Sequence, residues 1–325
     1  MKRDIAIAIR NIASSRVADL LFTPFVFISA VILYMVRLIG VQRLPISKKA
    51  LLKVGVMPVR NHYYEPLFDK RNLSKPLSEN RFLPGINWNI DEQISILNSF
   101  TTGDEMKSIP DIFVDELTFS FRNTAFEYGD AEYWYNLIRL KKPKRIVEIG
   151  SGHSTKMARL AITQNIKEDA GYNCEHICIE PYEMSWLEKL NIRIIREKVE
   201  KVDKEIFNSL GENDILFIDS SHMIRPQGDV LFEYLELLPT LNPGVIVHVH
   251  DIFSPKDYPE EWIIDKAQFW NEQYLLEAFL TSNSTWKIIG ALNYLHNNHF
   301  AVLQDKCPRL RPEHRPASFY MQKLG

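Results

Sequence analysis

The chain is poor in cysteine: Cys174, Cys178 and Cys307 are all it has in 325 residues. They form neither a disulfide framework nor a paired Cys-x-x-Cys zinc pattern, which leaves core thiols in a reducing compartment. Net charge is nearly absent as well, at -2 near neutral pH. There is thus no general attraction to a polyanion, and nucleic-acid binding is disfavoured. Internal repeats and low-complexity tracts are missing, which argues against a repeat architecture.

What is present is ordinary for a globular chain. Hydrophobic residues make up 46% of it and charged residues 25%, enough to build a sizeable core. At this length the expectation is one large α/β domain with an N-terminal extension. Leu20 opens and Val36 closes an uncharged apolar run, at the short end of the roughly 17 to 25 residues that span a bilayer. Lys2, Arg3, Arg10 and Arg16 precede it and Arg37, Arg43, Lys48 and Lys49 follow, so charge asymmetry does not orient it. Pro24 interrupts the run. Membrane association therefore competes with a helix that packs on the domain or lies in the interface, and with a cleaved signal that lacks a clear small-x-small site.

Residues 1–44 are read as this apolar helix and residues 45–129 as an aromatic, irregular cap, punctuated by Pro58, Pro66, Pro76, Pro84 and Pro110. Residues 130–325 are read as the functional domain. It opens on a helix at 130–140 with Asp130 as N-cap. After Lys144, short apolar runs alternate with helical stretches, the pattern of βαβ units and a parallel sheet. Strands are expected at 145–149, 176–180, 192–195, 214–219, 244–250, 286–292 and 300–303. Only a short polar stretch separates the last two, so they are expected to pair antiparallel. The fold class is α/β: a doubly wound, Rossmann-like, seven-stranded, mostly parallel sheet with an antiparallel last strand, and an N-terminal helical or irregular cap.

At the end of the first expected strand stands Glu148-Ile-Gly150-Ser151-Gly152-His-Ser154-Thr155, at the crevice where doubly wound sheets bind ligands. Glycines there let backbone approach a ligand, and Ser154 or Thr155 can cap the helix that follows. Glu148 suits a ligand ammonium and would repel a pyrophosphate. Glu180 ends the second strand, where a carboxylate can bridge ribose hydroxyls. A bare Gly-x-Gly also occurs in dinucleotide folds, so an NAD(P)-dependent oxidoreductase is the rival enzyme class, and a membrane-tethered binding protein without catalysis the rival of another class.

This stretch resembles motif I of class I S-adenosylmethionine-dependent methyltransferases, and Ile179-Glu180-Pro181-Tyr182 resembles their ribose-binding acid. The likeness covers about residues 130–305, and the EIGSGHST wording resembles the macrocin-type sugar O-methyltransferase subgroup (methyltransferase domain 24), with Ser154 where the family pattern has a third glycine. The resemblance implies S-adenosylmethionine as cofactor, bound by Glu148, Gly150, Ser151, Gly152, Ser154, Glu180, Val199 and Asp219. It also implies a hydroxyl acceptor on a sugar, glycan or small metabolite.

Methyl transfer needs an acceptor that is positioned and deprotonated. Asp219-Ser-Ser-His222 follows the fourth expected strand, and His248-Val-His250-Asp251 ends the fifth, so both sets meet at one edge. His222, His250 and Asp251 are the candidate catalytic residues, with a histidine as general base. Alternatively Asp219, His250 and Asp251 hold Mg²⁺, which lowers the hydroxyl pKa, and the resemblance places metal ligands at these positions in related O-methyltransferases. His248, deeper in the strand, is equally well a core histidine. The aromatic loop from Ile252 to Trp262 and the segment from His62 to Pro66 are candidates for acceptor contacts. The catalytic domain is expected in the cytoplasm, or at the inner face of the cell membrane if the apolar run anchors it.

Overall fold

The computed structural model describes residues 16–325 except Glu183, in two compact units that meet in the chain between Ser74 and Lys75. Lys2, Arg3 and Arg10, three of the eight basic residues flanking the apolar run, lie outside the described residues.

In the first unit, helix α1 spans Arg16–Ile39 and runs through Pro24, with none of its 24 residues buried. Its length is about 36 Å at 1.5 Å per residue, against a hydrocarbon core of about 30 Å. Helix α2 spans Pro45–Val54, with proline in its first turn and Gly55 in the left-handed conformation that closes it. Arg37 and Arg60 both pair with Glu65, at 2.7 and 2.9 Å.

The second unit begins earlier than the expected cap boundary. Residues 75–129 belong with the sheet: Leu97 of helix α3 (Ile90–Asn98), Phe100, Met106, Phe119, Phe121 and Phe126 pack into the same core as helix α4, Asp130–Lys141. Ten of the twelve residues of α4 are buried. Gly129 takes the N-cap position assigned to Asp130. The Asp130 carboxylate instead accepts from the backbone N–H groups of Ala317 (3.0 Å) and Ser318 (2.7 Å).

Seven strands form one sheet in the order β3-β2-β1-β4-β5-β7-β6. They are β1 (Arg145–Ile149), β2 (Glu175–Ile179), β3 (Arg193–Ile195), β4 (Ile215–Ile218), β5 (Ile246–Val249), β6 (Trp286–Ala291) and β7 (Phe319–Lys323). The first five are parallel, and β7 runs antiparallel between β5 and β6. Helix α5, His153–Glu168, follows β1. The last strand is therefore not at residues 300–303. That stretch lies in a helix, Phe300–Lys306, whose Phe300 and Leu303, with Cys307 just past its end, face the core at helical spacing. A four-residue apolar run is too short to separate the two periods. The antiparallel pairing holds, but two helices and a long return connect β6 to β7.

Hydrophobic clusters cover both faces of the sheet, as a parallel sheet requires. All three cysteines are free and buried. The strand order reverses direction between β1 and β4, so the crevice at the carboxyl edge opens there.

Candidate active site

Register sets the site. Ile149 of β1 lies beside both Ile179 of β2 and Ile218 of β4, and Ile218 lies beside Val249 of β5. The next residue on each strand is Gly150, Glu180, Asp219 and His250, so these four stand side by side at the carboxyl edge. Gly150 has φ 78°, and a Cβ there would sit 2.0 Å from the Asp219 carbonyl oxygen. Only glycine allows the loop after β1 to pass so close to the end of β4.

Two cavities open on this edge. The smaller, about 330 Å³, is lined by Gly150, Glu180, Tyr182, Val199, Asp219 and Ser220 among others. The larger, about 580 Å³, is lined by Tyr128, Asp130, Asp219, His250, Asp251, Trp262 and Trp270 among others. Asp219 lines both.

The cofactor residues expected from the sequence divide between wall and floor. Gly150, Glu180, Val199 and Asp219 line the smaller cavity. Glu180 is held in place by the backbone N–H groups of Tyr182 (2.8 Å) and Ser151 (3.3 Å). Glu148, expected to meet a ligand ammonium, is wholly buried. Its carboxylate accepts from Thr155 Oγ1 (2.6 Å), Ser154 Oγ (3.2 Å) and His176 Nε2 (2.8 Å). Since a carboxylate only accepts, the proton of the last bond sits on Nε2. Thr155 also accepts from the Gly152 N–H at 3.1 Å. Glu148 and Ser154 thus brace the glycine loop from beneath, and His176 is a residue that the sequence reading passed over.

Asp219 and Asp251 line the larger cavity, and the buried His222 and Glu272 join them in a polar cluster. His222 Nε2 lies 3.2 Å from Asp219 Oδ1 and 3.6 Å from Asp251 Oδ2, and Nδ1 lies 2.7 Å from Glu272 Oε2. Asp219, His222 and Asp251 each offer a ligand atom within 4.8 Å of the others. His222, not the expected His250, completes this triangle. His250 Nδ1 is 3.4 Å from Ser318 Oγ and Nε2 is 3.3 Å from the Ala125 carbonyl, so both its nitrogens face protein partners. His222 and Asp251 both have positive φ, 56° and 59°, a strained conformation that surrounding contacts must enforce. Two such contacts are the N–H groups of Asn271 and Glu272, which donate to the His222 carbonyl at 3.0 and 3.2 Å.

Burial disfavours charge on His222, but its hydrogen bonds to Asp219 and Glu272 outweigh it and hold the imidazole proton well above the ordinary histidine range. His250 is likewise raised: burial opposes its charge, and Asp251, Asp219 and Asp130 prevail. Burial also opposes the charge of Asp219, but His222 and His250 bring its pKa below the usual carboxylate value. Burial raises Asp251. His248 is fully buried against Tyr320, ring centroids 4.1 Å apart, and burial drives its pKa well down. It is a neutral core side chain.

Glu272 had no signal in the sequence. It opens helix α6, Glu272–Leu280, where an acid is unremarkable as a partner of the helix dipole. It is wholly buried, accepting from His222 and, at 3.1 Å, from the Tyr234 hydroxyl. Trp270, 4.4 Å from the His222 ring, was passed over as well. The loop after β5 does reach the larger cavity through Phe253, Pro259, Glu261 and Trp262. In the segment from His62 to Pro66, Tyr63 and Tyr64 are 92% and 85% exposed.

A parallel sheet with an antiparallel strand inserted at one side, a glycine turn after β1 and an acid after β2 match the fold class expected from the sequence. Comparison with known proteins agrees: residues 147–252 match the family model described as a methyltransferase domain. This stretch of the chain is thus similar to methyltransferase domains. An uncharacterized protein of Archaeoglobus fulgidus is 28% identical over 177 residues, covering 50% of this chain and 78% of its own. Among solved structures, the O-methyltransferase TomG from Streptomyces achromogenes, in complex with SAM, is 14% identical with a TM-score of 0.37, over 71% of this chain and 90% of its own. An O-methyltransferase from Bacillus cereus in complex with SAH is 14% identical with a TM-score of 0.35, over 73% and 98%. These overlaps are too loose to bear on the chemistry, which rests on the site itself.

Proposed function

We propose that the chain transfers a methyl group from S-adenosylmethionine, held in the smaller cavity, to a hydroxyl of a sugar-containing acceptor held in the larger one. The observation that carries this reading is that Asp219 lines both cavities, so donor and acceptor would meet across one carboxylate. A volume of about 330 Å³ falls in the range of small-ligand sites, roughly 300 to 1,000 Å³. Glu180 would bridge the ribose hydroxyls and Val199 would lie against the adenine. When bound, the cofactor supplies an electrophilic methyl. The work left to the protein is alignment and proton removal.

Trp262 and Trp270, with ring centroids 5.2 Å apart, present aromatic faces, and Glu127, Glu261, Glu313, Lys266 and Arg315 line the same space. Stacking surfaces among charged hydrogen-bonding groups suit a ring bearing many hydroxyls. As the new carbon–oxygen bond forms and the carbon–sulfur bond breaks, Asp219 would accept the hydroxyl proton. His222 and His250, whose proton affinity the surrounding carboxylates raise against the effect of burial, would steady those carboxylates.

A second reading adds a divalent cation held by Asp219, His222 and Asp251. Two observations favour it. A carboxylate whose pKa is depressed is a weak base toward a hydroxyl. And Glu272 takes one nitrogen of His222 while the other faces two carboxylates, the carboxylate–histidine arrangement that orients metal-bound imidazoles. The residues fit such a cation; when bound it would lower the pKa of the acceptor hydroxyl. The imidazole makes the set less selective for Mg²⁺ than one of oxygens alone.

Titration calorimetry with S-adenosylhomocysteine and with NADH tests the donor site: binding of the first and not the second is expected, and the reverse outcome would overturn the reading. Methyl transfer to a sugar acceptor, assayed with and without EDTA, tests the cation, since activity that survives full chelation removes it.

The exposed length of α1 further supports a membrane anchor that keeps the domain at the cytoplasmic face, where the donor is made. A lipid-linked or envelope glycan would then be the natural acceptor. Recovery of the full chain in the soluble fraction after gentle lysis would count against this.

A further inference from the structure

We propose that helix α2 is a second membrane contact, lying flat on a surface of anionic phospholipid beside the point where α1 leaves the bilayer; this rests on the anchor reading above. From Arg37 to Tyr64 the chain contains no Asp or Glu, while Arg37, Arg43, Lys48, Lys49, Lys53 and Arg60 all fall within it. Arg37 and Arg60 share Glu65, which partly offsets their charge. Arg43 and the three lysines of α2 are exposed.

The helix is two-sided. At 100° per residue, Ile46, Ala50 and Val54 follow one another at four-residue spacing along one face, while Lys49 and Lys53 run along the adjoining one. None of its ten residues is buried, and Ile46 and Val54 are 85% and 77% exposed. Val56, Met57 and Val59 continue the exposed apolar surface beyond it. A short helix with an apolar stripe and lysines beside it, directly after a segment long enough to span a bilayer, has the composition of an interfacial helix. The lysines select the partner: a juxtamembrane cluster of cations is drawn to anionic headgroups and gains little from zwitterionic ones. Such seating would set the height of the first unit at the membrane surface.

The three native cysteines are buried, so a Val54→Cys variant of the full chain can carry a polarity-sensitive dye at that position alone. It is reconstituted into vesicles of phosphatidylcholine, and into vesicles in which about a third of the lipid is phosphatidylglycerol. A blue shift of the dye is expected in the anionic vesicles, at least about twofold larger than in phosphatidylcholine. Charge reversal by Lys48→Glu, Lys49→Glu and Lys53→Glu should abolish most of it while the protein still floats with the vesicles through α1. Equal shifts in both lipids, or a shift that survives charge reversal, would overturn the proposal and point to a second copy of the chain covering α2. A chain that floats with neither vesicle defeats the anchor itself, a result the flotation shows independently of the dye.

Discussion

Glu148 and Glu180 end neighbouring strands and both flank the glycine loop, yet they do different work. Glu148 lies beneath the loop, sealed from solvent, with its oxygens taken by His176, Ser154 and Thr155. Glu180 lies one strand over and two register steps higher, in the wall of the smaller cavity, held by backbone N–H groups. An acid near a Gly-x-Gly turn thus becomes a brace or part of a cavity wall according to its level in the sheet: Glu148, inside the last pair of β1 and β2, is under cover, and Glu180, just beyond that pair, is in the open.

The sharpest test of this division lies just beyond it, at the residue both cavities share. Asp219→Ala should lower kcat/KM by about 10³-fold while donor affinity, measured by calorimetry, falls far less. If binding and turnover fall together, Asp219 belongs to the donor site alone. Next comes the brace. Glu148→Ala leaves His176 buried without its partner and should cost about 3 to 5 kcal/mol in urea unfolding. A loss under about 1 kcal/mol would show that Glu148 does not hold the loop. The wall residue should give the opposite pattern: Glu180→Gln is expected to weaken S-adenosylhomocysteine binding by about tenfold, near 1.4 kcal/mol, with an unchanged melting temperature.

The smallest effect concerns His153, the first residue of α5. Burial, with the charge of Lys156 nearby, lowers its pKa from about 6.5 to about 4. The folded protein therefore binds this proton less readily than the unfolded chain. The stability so contributed is present above pH 6.5 and drains away as pH falls toward 4. Urea midpoints at pH 7 and pH 5 should differ less in His153→Gln than in the parent; an equal difference would assign the acid sensitivity elsewhere.

Much of the sheet was legible because β1, β2, β4 and β5 are short apolar runs with punctuation between them, and the loop residues Gly150, Glu180 and Asp219 follow those runs directly. Their level in the sheet was not legible, since register is a property of pairs of strands. The same limit explains the histidines. Strand alternation places His248 and His250 on one face, but the Tyr320 ring against His248 comes from β7 and the Ser318 hydroxyl beside His250 from the residue just before it. His222 owes its place in the acid cluster to Glu272, fifty residues on in the chain, a separation no local pattern bridges. The strand expected at 300–303 failed for a different reason, a run too short to show its period. In the first unit, the apolar run told correctly of a long helix, while the surface it is exposed to lay beyond what hydropathy can say.

The larger cavity takes its walls from three stretches that the sheet does not fix: residues 124–130, 253–270 and 313–317. Its floor comes from Asp219 and His250, whose backbone N–H groups bond to the neighbouring strands at 2.8 and 2.9 Å. On the proposed function, reactivity and selectivity would reside in separately heritable parts. Insertions or exchanges among the wall segments can give this scaffold a new acceptor without disturbing the atoms that move the methyl group, and a descendant's range of acceptors should track the lengths of those segments more closely than the motif at Gly150.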